Sequence, residues 1–147
     1  MAVAYATQAN LEDACGGSVR LVQLTDWDGD RVPDAARITA AIESASAWMN
    51  SYLAKQRYVP MAAPYPPVVV DVCARVTRYR IAASRGMATE QDRVDFDDDQ
   101  KWLLGVADGS IKLDVDPQPT KASDRIDSYS DRPSSKEVSR SKLAGFR

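Results

Sequence analysis

The chain has 147 residues, 44% of them hydrophobic and 27% charged, with a formal net charge of −2. That length supports one compact core with an appendage, and the near-neutral balance argues against a dedicated nucleic-acid binder, which carries a marked basic excess. There is no histidine, which removes the commonest general base, the usual nucleophile pairs and the usual zinc and iron ligands. Cys15 and Cys73 stand far apart with no CxxC pairing, fit a reduced intracellular setting, and read as small buried fillers. No stretch approaches the roughly 18 apolar residues of a membrane span, and the opening MAVAYATQAN lacks the plan of a signal peptide; no membrane association is expected.

Thr7 is placed to cap a first short helix over Gln8 to Cys15, stopped by Gly16 and Gly17, and a second short helix is predicted over Ser18 to Leu24. The strongest signal starts at the capping residue Asp34. Ile38, Ala41, Ile42, Ala45, Trp48, Met49, Tyr52 and Leu53 recur at helical spacing, while Arg37, Glu43, Ser46, Asn50 and Lys55 make the other face polar. Trp48, Tyr52 and Tyr79 read as core rather than as a ligand cage. Residues 56 to 67 hold Pro60, Pro64, Pro66 and Pro67, so no regular element continues through them.

Pro67 suits the first turn of the next helix, whose apolar positions are Val69, Val72, Cys73, Val76, Tyr79 and Ala83. Arg75, Arg78, Arg80 and Arg85 give it a basic flank. A further helix runs from the cap Thr89 to about Ala107, with Val94, Trp102, Leu103 and Val106 expected inside, and ends at Asp108-Gly109. The expected architecture is all-α: a small bundle of two long helices plus short ones over 1–113.

From Asp114 onward the chain has isolated apolar residues and no period. Its few apolar side chains cannot offset about 1.5 kcal/mol per ordered residue. Residues 114–147 are therefore expected to form an extended arm ordered only on a partner, with Ile126, Tyr129, Arg132, Val138, Leu143 and Phe146 as docking candidates.

Two acidic stretches raise other functions. In TDWDGDRVPD, Asp26, Asp28 and Asp30 are spaced like the first half of a calcium loop, the basis for a small ion-regulated binding module using the Asp26–Asp34 turn. Such a loop needs glycine at position 6 and a bidentate glutamate at 12; here those positions are Arg31 and Arg37. An acidic turn held by its own Asp side chains fits better, so no metal and no cofactor is expected. The run Asp95–Asp99 could serve a histidine-free metal-dependent enzyme, yet successive helical residues diverge by about 100° and at most two face one site. The more economical expectation is that the basic flank meets the acidic run between copies of the chain, with Arg75, Arg78, Arg85, Asp95, Asp98 and Asp99 as interface residues.

The words YATQANLE, LVQLTDWDGDRVPDAARITAAIESASAWMNSYLAKQRYVP and PPVVVDVCARVTRYRI together resemble the Mu-like phage head-tail adaptor family, over residues 4 to 113. In that family the acidic turn usually carries glycine where this chain has Arg31. The resemblance implies a non-enzymatic connector of the virion neck, assembled in the host cytoplasm as a homo-oligomeric, dodecameric ring. Its implied partners are the portal protein and a stopper or tail-completion protein, with DNA passing through the channel without sequence-specific binding.

Overall fold

The computed structural model describes residues 2–119; the six docking candidates from Ile126 to Phe146 lie outside them. The described residues form five α-helices and one short 3-10 turn, with no strand among them. Helix α1 is Gln8–Cys15, α2 is Ser18–Thr25, α3 is Ala35–Leu53, α4 is Pro67–Ser84 and α5 is Glu90–Asp108, with the 3-10 turn at Ala54–Gln56. The all-α expectation holds, and three helices rather than two are long, at 19, 18 and 19 residues.

The helix starts are set by the side chains that the spacing singled out. Thr7 accepts from the Asn10 amide, Asp34 from the Arg37 amide and Thr89 from the Asp92 amide, each satisfying one of the free donors of a first turn. At Thr7 and Thr89 the bond is reciprocal, because the Asn10 and Asp92 side chains accept from the cap's own amide. Helix α5 ends at Gly109, which adopts φ +85° and lets the chain reverse.

Helix α4 is the axis of the bundle and touches α1, α2, α3 and α5. Its buried residues are Val69, Val72, Cys73, Ala74, Val76, Thr77, Ile81 and Ala82. At about 100° per residue these point in nearly every direction, so α4 has core on most sides instead of the single stripe expected. Ala83, placed on that stripe by its spacing, is exposed, and Tyr79 is only half-buried.

Ser46 departs from the expectation for α3: predicted on the polar face, it is fully buried. Its hydroxyl donates to the Ile42 carbonyl at 2.8 Å, accepts from the Tyr5 amide at 3.0 Å and lies 3.4 Å from Cys73 Sγ. A buried hydroxyl is tolerated because it is bonded, and here it ties the N-terminal segment to α3 and α4. The Tyr5 hydroxyl donates to Asn50 Oδ1, its ring meets Tyr65 edge-on at 4.9 Å, and burial, reinforced by Tyr65, pushes its phenol up to about 12. Thr25 and Thr77 satisfy their buried hydroxyls on the carbonyls four residues back.

Trp48, Tyr52, Tyr79 and Phe96 form a half-buried aromatic cluster joining α3, α4 and α5. Tyr79 and Phe96 stack at 4.4 Å, Phe96 and Trp48 at 5.5 Å. Val94, expected inside, is 43% exposed. It occupies the outer face of α5, since Asp99, Leu103 and Val106 take the inner one.

Beyond α5 the chain returns across the proline-rich loop. The Leu113 amide donates to the Tyr58 hydroxyl, the Gln118 amide to the Arg57 carbonyl at 2.6 Å and Gln118 Nε2 to the Pro60 carbonyl at 2.7 Å. The chain therefore stays attached to the bundle through Gln118, past the division expected at residue 113.

Met49→Ala removes a fully buried side chain and is expected to cost about 2–5 kcal/mol, whereas Val94→Ala should change stability by less than about 0.5 kcal/mol. Urea unfolding of the two variants checks both the register of α3 and the outward setting of Val94.

Candidate functional site

Arg75, Arg78 and Arg80 on α4 and Arg85 at its C-cap bond several other elements of the bundle. Arg75 donates from Nε and Nη2 to both carboxylate oxygens of Asp99, at 2.5–3.2 Å. The two-pronged geometry matches guanidinium to carboxylate, and Asp99 is itself buried. The bond to Asp99 drives the Arg75 pKa further up, against opposing burial.

Arg78 reaches two other helices. Nη1 donates to the Ala14 carbonyl at 2.6 Å, at the end of α1, and Nη2 lies 3.2 Å from Asp92 and 3.3 Å from Asp95 on α5. A cation at a helix C-terminus satisfies a free carbonyl and the negative end of the dipole. Its Nε is buried and has no hydrogen-bond acceptor among the described residues. Arg85 does the same for α2, donating from Nη1 to the Leu24 and Asp26 carbonyls at 3.1 and 2.8 Å.

The basic flank of α4 and the acidic residues of α5 were expected to meet between copies; within one chain, Arg75 pairs with Asp99 and Arg78 with Asp95. Asp98 is exposed and pairs with Lys101 one turn away, and Arg85 bonds carbonyls rather than an acidic partner. The contiguous acids diverge around α5, with Asp99 inward and Asp97 and Asp98 outward. Among the described residues no three Asp, Glu, Cys or His side chains gather where a metal could be held.

The Asp26–Asp34 segment is a self-bonded turn. Asp26 accepts from the Gly29 amide at 2.6 Å and the Arg31 amide at 3.1 Å, and Asp30 accepts from the Val32 amide at 2.9 Å. Asp34 caps α3 and pairs with Arg37 at 3.0 Å. The oxygens that a cation would need already serve backbone amides, while Asp28 is exposed. Arg31 has φ +63°, a left-handed conformation that glycine adopts without strain, which accounts for glycine being the usual residue there in the resembled family.

Behind the turn, Trp27 has the Arg37 guanidinium 4.9 Å and the Arg85 guanidinium 5.1 Å from its ring centroid. With Ala40, Ala41, Arg80 and Ile81 it lines a groove of about 310 Å³ between α3 and α4. Arg80 lies over Trp48 at 5.1 Å and donates to Ser44. Spacing alone could not find this groove, because Trp27 belongs to no periodic segment. Burial raises the pKa of both Cys15 and Cys73, which keeps them as thiols rather than nucleophilic thiolates.

The fold and these contacts define a small helical scaffold whose charged side chains bind its helices to one another. The family model for Bacteriophage Mu, Gp36 matches residues 5–129, and the chain belongs to that family; it is a phage protein. It is also 38% identical over 80 residues to the Mu-like prophage FluMu protein gp36 of Haemophilus influenzae, an alignment covering 54% of this chain and 55% of that protein. The chain thus spans about half the length of this curated relative. The family match continues to Tyr129, well past residue 113, where the resemblance was read to end.

Asp99→Ala should destabilise the fold by about 1.5–3 kcal/mol, the scale of hydrogen bonds to a charged group, with little relief from added salt; chemical denaturation at two ionic strengths checks this. Asp92 adds an acid dependence. Burial pushes its carboxyl up, but the Thr89 amide and hydroxyl and the Arg78 charge together bring it below the ordinary carboxylate value. A lowered folded value contributes stability above the ordinary range that is lost as pH falls through the folded value, so Asp92→Asn should flatten the acid limb of a stability–pH curve. In the turn, Arg31→Gly should raise stability by up to about 1 kcal/mol by relieving the left-handed backbone, read as a higher thermal midpoint.

Proposed function

We propose that this phage protein is a structural, non-enzymatic head-tail connector: a subunit of a ring in the virion neck that joins the portal protein to the stopper or tail and extends the DNA channel. The observation that carries the reading is the family match over residues 5–129, which takes in a self-contained bundle and the first part of the arm beyond it. Because the bundle closes its main charge pairs internally, a subunit can fold before it assembles. That suits a part added to a template already in place.

The outward residues fit a surface made for neighbours. Val19, Val32, Val68, Val94 and Leu104 are large apolar side chains between 40% and 72% exposed, spread over α2, the acidic turn, α4 and α5. Around a ring such positions lie against adjacent copies, and a dodecamer remains the stoichiometry proposed from the resemblance. A net charge of −2 per subunit favours DNA that slides rather than binds, since affinity for phosphates rises with the number of cations presented to them. No helix among the described residues is long and apolar enough to cross a membrane.

Co-expression with the portal protein followed by native mass spectrometry should give a complex carrying a ring of this chain, twelve copies on the proposed stoichiometry. Removing residues 120–147 should leave the helical circular dichroism and thermal midpoint of the bundle intact and abolish recruitment to the portal. A chain that stays at 16.1 kDa with the portal present, or that is missing from purified virions, would refute the connector reading.

A further inference from the structure

The Trp27 groove has a composition that specifies its occupant. Its floor is apolar, from Trp27, Ala40, Ala41 and Ile81, and its rim carries Arg37 and Arg80. Arg85 stands behind Trp27. Of these three cations Arg37 pairs with Asp34, whereas Arg80 bonds Ser44 and Arg85 bonds backbone carbonyls. Glu43 projects from another side of α3, about 240° round the axis from the Arg37 that it follows by six positions. The groove is thus greasy inside and positive at the edge. About 310 Å³ lies at the small end of ligand pockets, which run to about 1,000 Å³, and suits anchoring side chains of a peptide.

An apolar segment flanked by carboxylates is the complement, and the chain contains one. Residues 124–131 read DRIDSYSD, with Ile126 and Tyr129 set among Asp124, Asp127 and Asp131 and a single cation, Arg125, so that the segment stays net acidic. The remainder, from Arg132 to Arg147, has Arg132, Lys136, Arg140, Lys142 and Arg147 against Glu137, and the groove's rim repels it. The family match ends at residue 129, so it takes in Ile126, Asp127 and Tyr129.

Reach favours an adjacent copy over the same chain. Gln118 is bonded to Arg57 and Pro60, past the C-terminal end of α3. The groove lies by Ala41, about 18 Å back along that helix at 1.5 Å per residue. Seven residues from Pro119 to Ile126 span at most about 24 Å fully extended, only about 6 Å more than that axial distance, so a chain's own arm reaches the groove only when drawn nearly straight.

We infer that residues 124–131 of one subunit dock in the Trp27 groove of the next, Ile126 and Tyr129 on the apolar floor and Asp127 against Arg80. The inference rests on the ring reading above and adds the contact that links one subunit to another. Charge complementarity directs the segment to the groove, and docking supplies the apolar burial that the segment cannot make alone.

The test places a benzophenone amino acid at position 129 of the full-length chain, mixes isotopically heavy and light subunits, assembles them with the portal protein and irradiates. Heavy–light cross-links from position 129 to the peptides spanning residues 38–55 or 81–85 are expected. Arg80→Glu should lower their yield at least tenfold and Arg80→Glu with Asp127→Arg should restore it. Links confined within single subunits, or directed to the portal protein, overturn the inference, as does a yield insensitive to position 80. Rings that form without groove cross-links overturn the inference while the connector reading stands; failure of any ring to form, seen by mass in the same sample, overturns both.

Discussion

Helix α4 has almost no face to give to solvent, and the rest of the bundle follows from that constraint. A helix surrounded by α1, α2, α3 and α5 that nevertheless carries three arginines and a fourth at its C-cap must bring each guanidinium to an acceptor, because a cation withdrawn from water without one is costly. Arg75 finds Asp99, Arg78 finds Ala14, Asp92 and Asp95, and Arg85 finds the ends of α2 and of the acidic turn. These residues lie within about 80° of one another around the axis. One side of α4 therefore acts as a row of clamps, each gripping a different neighbour, while the remaining directions pack apolar core.

In the proposed ring this arrangement would separate folding from assembly. Charges engaged at 2.5–3.3 Å inside a subunit are already satisfied by the fold. Contacts between subunits of such a ring would fall to what the bundle leaves outside: scattered valines and Leu104, the outward carboxylates of α5, and the positive rim of the Trp27 groove. Such surfaces are weak one by one and would add up through repetition around a closed ring.

The sequence made the helix boundaries plain because they depend on neighbours in the chain. Thr7, Asp34 and Thr89 each cap the amide three residues on, and Pro67 opens α4, as their spacing indicates. What could not be read was which face of each helix finds company, because that depends on elements far away. Ser46 looks polar in its own helix and is buried because Tyr5, 41 residues earlier, brings it an amide. Val94 looks apolar and is exposed because Asp99, held by Arg75, fixes the rotation of α5. The same holds for the charges: complementary runs on successive helices are visible in sequence, but that Arg75 and Asp99 meet within the chain is decided by how α4 and α5 pack.

The acidic turn and the groove are two sides of one construction. Arg85 holds the Asp26 carbonyl and lies against Trp27, while Arg37 lies against Trp27 and pairs with Asp34, the cap of α3. Asp26 closes the loop on the Gly29 and Arg31 amides, which holds the turn's shape and with it the position of Trp27 beside α3 and α4. The residues that look like half a calcium site thereby set the floor and the positive rim of the groove. A substitution that loosened the turn would change the groove's shape, because Trp27 lies against arginines from α3 and from the end of α4 as well as against the edge of the apolar core.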